Sequence, residues 1–145
     1  MGIQQQIQEI RTFNRFYTDL IGLLDKHLLN SEYSLAEARI LYELFTAKQL
    51  SASDIIYKLS IDKGYLSRIL KKFEKQELIA RIASEEDARV SLLSLTDAGL
   101  KVFDGLNEAS EQQITALISG MPVSQLDELV KHMQAIAGIL EKQSR

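Results

Sequence analysis

Residues 60–73 read Ser-Ile-Asp-Lys-Gly-Tyr-Leu-Ser-Arg-Ile-Leu-Lys-Lys-Phe, a segment with the pattern of an amphipathic helix. Its apolar residues recur at the i, i+3, i+4, i+7 spacing of a buried stripe: Leu66, Ile69, Leu70 and Phe73. At about 100° per residue, the opposite side collects Gly64, Ser67, Arg68, Lys71 and Lys75. Asp62 stands at the N-cap position. A helix with an apolar back and a basic front suits the major groove of DNA, whereas a merely solvated basic face is the alternative.

The residues before this basic helix predict a helix-turn-helix. Ser51 is a candidate N-cap for a short helix with Ile55, Ile56 and Leu59 on its buried side. Residues 60 and 61 separate that short helix from the basic one. A short helix, a tight turn and a longer helix with a basic front form the helix-turn-helix arrangement.

The segments on either side of this pair complete a winged helix. Upstream, Ser34 and Glu37 form a capping box that opens a helix ending near Lys48. Downstream, residues 78–83 and 90–95 are short, rich in branched side chains and separated by polar residues. That pattern predicts two strands and a hairpin, and a hairpin directly after the basic helix makes a wing.

A long helix is predicted over about residues 3–29. Its apolar stripe consists of Ile3, Ile7, Ile10, Phe13, Tyr17, Leu20, Ile21, Leu24 and Leu28. Phe16 and Leu23 widen the stripe beyond what a single packing partner needs. We therefore expect this helix to pack against more than its own neighbour.

Two further helices are predicted after the hairpin. Thr96 and Asp97 can cap the first of them, and Gly120 with Pro122 ends it. The run that starts at Ser124 and ends at Asp127 is predicted to cap the last helix. The apolar stripe of that last helix is Leu126, Leu129, Val130, Met133, Ile136 and Leu140.

The composition excludes several classes of protein. With 145 residues and 46% apolar content, the chain fits one domain with a full core. The absence of cysteine excludes disulfides, cysteine-based zinc sites and thiol redox sensing. The first residues lack the pattern of a signal peptide, Gln6 departs from the N-myristoylation pattern, and no apolar run approaches the roughly 18 residues of a membrane span. We expect a cytoplasmic protein.

The charge is unevenly distributed along the chain. The net charge is −3, but between residues 58 and 81 seven Lys and Arg stand against three Asp and Glu. This segment therefore carries +4 and the remainder carries −7. A basic patch on an acidic body can bind phosphates while the body limits non-specific adhesion.

Residues 51–99 resemble the DNA-binding core of the MarR family of bacterial winged helix-turn-helix transcriptional regulators. The matching motifs are Ser67-Arg68 in the basic helix, Glu74 with Leu78-Ile79 at its exit, Asp87-x-Arg89 in the hairpin, and Leu95-Thr96-x-x-Gly99 after it. The resemblance implies a mainly α fold with a small β-hairpin wing (α+β), in a single domain over residues 1–145. It also implies a winged helix-turn-helix core at residues 34–95, with helical dimerisation regions at 1–30 and 97–145.

The same resemblance implies a function. It predicts a sequence-specific DNA-binding transcriptional regulator that binds a pseudo-palindromic operator in double-stranded DNA as an obligate homodimer. We expect a repressor, while activation stays open as the alternative. The resemblance also implies that a small-molecule effector, often an aromatic anion, releases the DNA. The residues expected to contact DNA are Lys63, Gly64, Tyr65, Ser67, Arg68, Lys71, Lys72, Lys75 and Arg89. Asp87 is expected to orient Arg89, and no enzymatic activity, cofactor or metal site is expected.

Two positions depart from the family pattern. The family commonly has Gly where Glu77 stands, at the end of the basic helix, and Glu77 makes a left-handed cap costlier. The wing tip reads Ser84-Glu85-Glu86, and its carboxylates repel phosphates. Arg89 remains as the cation of the wing able to enter a narrow minor groove.

Several alternatives stay open from the sequence. A winged helix can instead bind a protein, with its basic helix against an acidic partner. Tyr65 can pack under the wing or contact a phosphate or thymine methyl, and Arg89 can be an ordinary hairpin charge. His27 and His132 lie on separate helices without metal-ligand spacing. The aromatic residues that can line an effector pocket or fill the core are Phe13, Phe16, Tyr17, Tyr33, Tyr42 and Phe45. The basic helix also resembles one found in regulators fused to an acetyltransferase domain, but we expect no acetyl transfer.

Overall fold

The computed structural model describes residues 1–28 and 32–143, with side chains described at 1–22 and 32–143. The described elements are α1 (Ile3–Leu28), α2 (Leu35–Ala47), α3 (Ala52–Leu59), α4 (Lys63–Lys75), β1 (Ile79–Ala83), β2 (Ser91–Leu95), α5 (Asp97–Ile118) and α6 (Val123–Gln143). The predicted mainly α fold with a small β-hairpin wing is confirmed. The chain divides into two compact units, residues 1–110 and 111–145, with the boundary inside α5.

Side-chain caps fix where the helices of the first unit begin. Ser34 Oγ accepts a bond of 3.2 Å from the Glu37 amide, and Glu37 Oε1 accepts one of 3.0 Å from the Ser34 amide. Ser51 and Asp54 make the same reciprocal pair at the start of α3. Each box satisfies amides that a helix start leaves without an intrahelical partner. The predicted caps Ser34 and Ser51 are confirmed.

The core of the first unit is built from α2 to α5 and the wing. Its buried side chains are Ile40, Leu41, Leu44, Leu50, Ile55, Leu66, Ile69, Leu70, Phe73, Leu78, Ile79, Leu93, Phe103 and Leu106. All four apolar positions predicted for the basic helix are among them, and Phe73 is fully buried. Fully burying a side chain of this size contributes about 1.5–3 kcal/mol. This stripe therefore fixes which side of α4 is left to face outward.

The end of α4 makes a left-handed turn at Glu77. Glu77 has φ of 60°, a conformation that favours glycine. The Leu78 amide donates to the Phe73 carbonyl at 2.9 Å, which closes the turn around the helix end. Glu77 thus takes a left-handed conformation despite its side chain, and the turn redirects the chain from α4 into the wing.

Thr96 joins this turn to the beginning of α5. Its hydroxyl donates to the Glu77 carbonyl at 2.7 Å and accepts a bond of 3.0 Å from the Gly99 amide. Its own amide donates to the Leu78 carbonyl at 3.0 Å. A Cβ on Gly99 would lie 2.1 Å from the Leu78 oxygen, so the two backbones approach as closely as glycine permits. The predicted cap at the start of α5 is thus confirmed for Thr96.

The wing is an antiparallel hairpin whose register runs from Ile79 opposite Leu95 to Ala83 opposite Ser91. Leu50, which precedes α3, pairs with Leu93 through two reciprocal backbone bonds of 3.1 and 2.7 Å. This bridge was not predicted from the sequence. It ties the wing to the loop between α2 and α3.

The first helix leaves its apolar side chains exposed. It ends at Leu28, and the predicted end at Leu29 lies outside the described residues. The exposed apolar side chains of α1 include Ile3, Ile7, Ile10, Phe13, Phe16 and Tyr17. Leu20 and Ile21 are half-buried, whereas the side chains of Leu23, Leu24 and Leu28 lie outside the described part.

The second unit contains the end of α5 and all of α6. Gly120, with φ of 87°, and Pro122 follow the end of α5, as predicted. The prediction that Ser124 caps the last helix is wrong, because α6 begins at Val123 and its first carbonyl acceptor belongs to Pro122. Pro122 has no N–H to leave unsatisfied there. No helix among the described residues has an apolar run long enough to cross a membrane.

Candidate nucleic-acid interface

The front of α4 carries most of the residues predicted to contact DNA. The exposed members are Lys63, Gly64, Tyr65, Ser67, Arg68, Lys71 and Lys75. They share this side because the apolar stripe of the helix occupies the other one. Asp62 caps the helix through a 2.9 Å bond accepted by its Oδ2 from the Tyr65 amide, which confirms the predicted N-cap. The result is a continuous basic face that starts at a capped helix N-terminus.

Arg68 lies beside the ring of Tyr65. The guanidinium carbon is 5.9 Å from the ring centroid, at the outer limit of a cation–π contact. Tyr65 is 38% exposed and lines a groove beside the helix together with Ala36 and Arg39 of α2. The ring can restrict where the guanidinium points without covering its outward donors.

Lys72 does not lie with the other residues predicted to contact DNA. Its Nζ donates to Glu37 Oε2 at 2.7 Å and lies 5.4 Å from the centroid of the Tyr33 ring. These contacts turn the side chain toward the beginning of α2, away from the basic front. Lys72 was expected from the sequence to contact DNA like Lys71, whereas the structure pairs it with Glu37.

In the wing, hydrogen bonds to the Asp87 carboxylate hold the Arg89 side chain in place. Asp87 Oδ1 accepts bonds from the Arg89 amide at 3.0 Å and from its Nε at 3.1 Å, and Asp87 Oδ2 accepts from Nη2 at 3.2 Å. These bonds from Arg89 hold the pKa of the Asp87 carboxyl below its usual value. The Arg89 side chain is 90% exposed, while Glu85 and Glu86 next to it are also exposed. The wing therefore offers one oriented cation beside two carboxylates.

An ion pair that the sequence did not predict joins α4 to the wing. The Arg81 guanidinium on β1 contacts the Glu74 carboxylate on α4. This contact offsets one of the cations counted in the basic segment. The sequence signal was weak, because the two residues meet only after the left-handed turn reverses the chain.

A cleft of about 360 Å³ lies between α2 and α5 within the first unit. Its lining residues are Leu35, Ala38, Arg39, Tyr42, Phe103, Leu106, Asn107 and Ser110. Of the aromatic residues left open between core and pocket, Tyr42 lines this cleft, whereas Phe45 stacks on Phe103 with centroids 4.3 Å apart. Tyr33 contacts Phe73 and Phe13 stacks on Tyr17. The cleft is mostly apolar, with one cationic side chain at Arg39.

The described residues contain no cluster of three or more His, Asp or Glu that could hold a metal ion. His132 lies 3.5 Å from Glu128, one turn away on α6. The side chain of His27 lies outside the described part of the chain.

The fold and the basic face of α4 define a winged helix-turn-helix protein. The family model for the MarR family matches residues 33–91. The organic hydroperoxide resistance transcriptional regulator of Bacillus subtilis is 34% identical over 122 residues, which cover 82% of this chain and 75% of that protein. The chain belongs to the MarR family.

Other comparisons agree with this assignment. An HTH-type transcriptional regulator of Bacillus subtilis, YdgJ, is 27% identical over 88 residues, which span 61% of this chain and about half, 54%, of that relative. The crystal structure of a MarR family transcription regulator superposes with a TM-score of 0.80 at 18% identity, covering 97% of this chain and 93% of that one. A mutant MepR of Staphylococcus aureus, solved bound to an oligodeoxyribonucleotide, superposes with a TM-score of 0.61 at 19% identity, covering 91% and 97%. At these identities the structural matches support the fold.

Proposed function

We propose that this protein is a sequence-specific DNA-binding transcriptional regulator, and that it represses transcription as a homodimer on a pseudo-palindromic operator. The observation that carries the proposal is the exposed basic front of α4 set on a fully buried apolar stripe. The names of the relatives, which are transcriptional regulators, and the solved complex of MepR with an oligodeoxyribonucleotide support it. A protein of this kind acts on chromosomal DNA in the cytoplasm, and no catalytic role, cofactor or metal is assigned to it.

The residues of the basic front are proposed to divide their roles between reading and anchoring. Arg68 lies mid-face and carries a planar fork able to bond two acceptors of guanine at once. Lys75 lies two turns further along, where a helix entering the groove by its N-terminal end has moved toward the phosphates. Lys63, Ser67 and Lys71 complete the face. Lys72 is left out of the proposed contacts because it pairs with Glu37.

The wing is proposed to add Arg89 in the minor groove beside the major-groove contacts. Asp87 would orient the guanidinium through the bonds that it accepts from it. Glu85 and Glu86 are exposed near it and repel phosphates, which weakens the contribution of the wing to affinity. A narrow minor groove has an enhanced negative potential, so it favours one well-oriented arginine.

Dimerisation is proposed through the terminal helices at residues 1–30 and 97–145, around a winged helix-turn-helix core at 34–95. The support is the apolar surface left exposed on α1 and α6. Contiguous exposed apolar surface on a protein often marks an interface with another molecule. In a two-fold dimer, the two copies of α4 are expected to bind half-sites about 10–10.5 bp apart on one face of the duplex. Footprints that show a single unpaired half-site would contradict this arrangement.

Effector control is proposed to act through the cleft between α2 and α5. Its apolar walls with Arg39 suit a small aromatic anion. The Arg39 side chain is 58% exposed and lies 4.0 Å from Glu43, a long contact that contributes little to stability, so its guanidinium stays available to a carboxylate ligand. Titration of salicylate-like anions into the protein–DNA complex tests this part, and unchanged DNA affinity at saturating anion would refute it.

The central test compares Arg68→Ala with Lys75→Ala on operator and random duplex at two salt concentrations. The operator is first obtained by selecting bound fragments from random duplexes. Arg68→Ala is expected to cost about 1–3 kcal/mol per half-site and to relax preference at one base pair. Lys75→Ala is expected to weaken both duplexes about equally and to lower the salt slope by about one unit per lost phosphate contact.

Each other outcome of this test has a clear meaning. Equal losses on both duplexes for Arg68→Ala would show that α4 does not read sequence through this residue. Small and similar effects of both variants would indicate a solvated basic face. Absence of any salt-dependent binding of the wild-type protein to random duplex would favour a winged helix that binds a protein.

A further inference from the structure

Glu37 is, among the described residues, the one charged side chain that is buried. It is 8% exposed and lies at the third position of α2. Burying a carboxylate is unfavourable unless hydrogen bonds and an opposite charge compensate for the lost water. The surroundings of Glu37 supply both, which indicates that the position has a role beyond capping a helix.

The two oxygens of the Glu37 carboxylate have different partners. Oε1 accepts from the Ser34 amide at 3.0 Å and completes the capping box of α2. Oε2 accepts from Lys72 Nζ at 2.7 Å, on the helix with the basic front. Burial raises the pKa of Glu37, but the bonds from Lys72 and Ser34 outweigh it and leave the pKa below its usual value. The carboxylate is therefore ionised at neutral pH and ties the start of α2 to α4.

Lys72 is held on a second side by an aromatic ring. Its Nζ lies 5.4 Å from the centroid of Tyr33, and that ring contacts Phe73 with centroids 6.3 Å apart. The lysine side chain is 40% exposed and is thus partly withdrawn from water. A charge pair in such a setting is weakened strongly when one member is removed, because the other charge stays behind without its partner.

Because of the position of Lys72 along α4, its ion pair with Glu37 restrains how α4 is rotated about its own axis. Lys72 lies one turn after Arg68, so the two side chains project about 40° apart around the helix axis. Phe73, the next residue, is buried in the core, and Lys71, the previous one, is on the basic front. A contact that fixes Lys72 against α2 therefore resists rotation of α4 about its own axis. Such a rotation would move the guanidinium of Arg68 away from a base edge.

We propose that Glu37 is a positioning residue for DNA recognition: it holds Lys72 and thereby sets the rotation at which α4 presents Arg68. Glu37 touches no DNA in this scheme and acts through the lysine. The inference rests on the proposed function, since it assigns a role within DNA reading by α4. It also replaces the DNA contact expected of Lys72 from the sequence.

The substitution Glu37→Gln separates this role from a simple effect of charge, because the two predict opposite changes in the affinity for operator DNA. Glutamine at the third position still accepts the capping bond, so the start of α2 is kept while the charge is lost. If charge alone matters, removing a carboxylate near the basic front raises DNA affinity on all sequences. If Glu37 positions α4, affinity for the operator falls by about tenfold, the lower range for a lost bidentate base contact, and the salt slope stays unchanged.

The matched control is Glu43→Gln. Glu43 lies on the same helix, is similarly shielded at 16% side-chain exposure, and pairs with Arg39 rather than with a residue of α4. The substitution of Glu43 makes the same change in net charge and leaves the Glu37–Lys72 ion pair intact. We expect operator affinity within about twofold of wild type for this variant. Circular dichroism melting of all variants shows whether the fold is retained at the assay temperature.

Lys72→Met and the double variant complete the test. Methionine keeps much of the apolar stem of the lysine and leaves the cap of α2 intact, so this variant remains informative if Glu37→Gln fails to fold. If the two residues act through each other, the double variant binds the operator no more weakly than either single one. Additive losses, a salt slope lowered by about one unit in Lys72→Met, or an unchanged or raised operator affinity in Glu37→Gln would overturn the proposal. Failure of the wild-type protein to bind DNA at all would instead refute the proposed function.

Discussion

The helices α4 and α6 are both amphipathic, but they differ in the burial of their apolar sides. In α4 the apolar stripe is buried by its own chain, with Phe73 fully enclosed. In α6, whose residues are all described, none is buried, and Val130, Met133 and Ile136 stay at least 40% exposed. The same sequence pattern therefore marks an internal packing surface in one helix and an uncovered surface in the other. A single chain therefore completes the core around α4 but leaves the apolar face of α6 uncovered.

The first prediction tests the enclosed side of this comparison. Phe73→Ala removes a fully buried ring and leaves a cavity, so we expect a loss of about 3–5 kcal/mol in the free energy of unfolding. Urea unfolding followed by circular dichroism measures it. Tyr57→Ala, at an 81% exposed position of α3, is the control and should change stability by no more than about 0.5 kcal/mol. Similar losses from both substitutions would show that α4 is not the centre of the core.

The second prediction tests the uncovered side. If the exposed face of α6 is covered by a second copy, the stability of the dimer should rise by about 1.4 kcal/mol for each tenfold increase in protein concentration. Ile136→Lys should abolish this dependence and give a monomer in analytical ultracentrifugation, because it places a charge in the apolar stripe. Gln134→Lys introduces the same side chain on another side of α6 and should leave both properties unchanged. A wild-type monomer at micromolar concentration would contradict the proposed dimer.

The third prediction concerns how the enclosed region is closed by hydrogen bonds. Thr96→Val keeps the shape of the side chain but removes the hydroxyl that links the Glu77 carbonyl to the Gly99 amide. We expect a loss of about 1 kcal/mol in the free energy of unfolding. Thr96→Ser retains the hydroxyl and should recover most of that loss. If both variants unfold at the wild-type midpoint, this junction does not contribute to the stability of the core.

The smallest expected effect has the opposite sign. Glu77→Gly should stabilise the protein by about 0.5 kcal/mol, since glycine adopts a φ of 60° without the steric cost borne by glutamate. The neighbouring Gln76 has φ of −82°, an ordinary helical value. Gln76→Gly should therefore destabilise by a similar or larger amount. Thermal melts of the two variants, compared with wild type, show whether the shifts have opposite directions.

The features predicted correctly from the sequence are those set by residues close together in the chain. The Ser34–Glu37 capping box spans three positions, and the stripe that ends at Phe73 spans two helical turns. Local spacing determines both, because a helix brings residues three or four apart onto one side. The start of α6 is the exception, since Pro122 supplies the first acceptor two residues before the expected cap at Ser124.

The features that the sequence did not reveal depend on the fold bringing distant residues together. Lys72 and Glu37 are 35 positions apart, so no local pattern indicated their contact, and Lys72 was expected to contact DNA instead. The bridge between Leu50 and Leu93 likewise depends on where the wing returns in space. The exposure of α6 was also outside the reach of periodicity, which identifies an apolar side but not the molecule that covers it.

The contact between Gly99 and the Leu78 carbonyl limits how this sequence can diverge. Any side chain at position 99 would push the start of α5 away from the exit of α4 by displacing backbone, not a mobile side chain. At Glu77 the opposite holds, since a strained conformation is tolerated by a residue that is not glycine. In a library randomised at both positions and sorted for folded protein, position 77 should accept many amino acids and position 99 essentially one. Steric contact with the backbone thus restricts position 99 to glycine, whereas position 77 can change during evolution without loss of the fold.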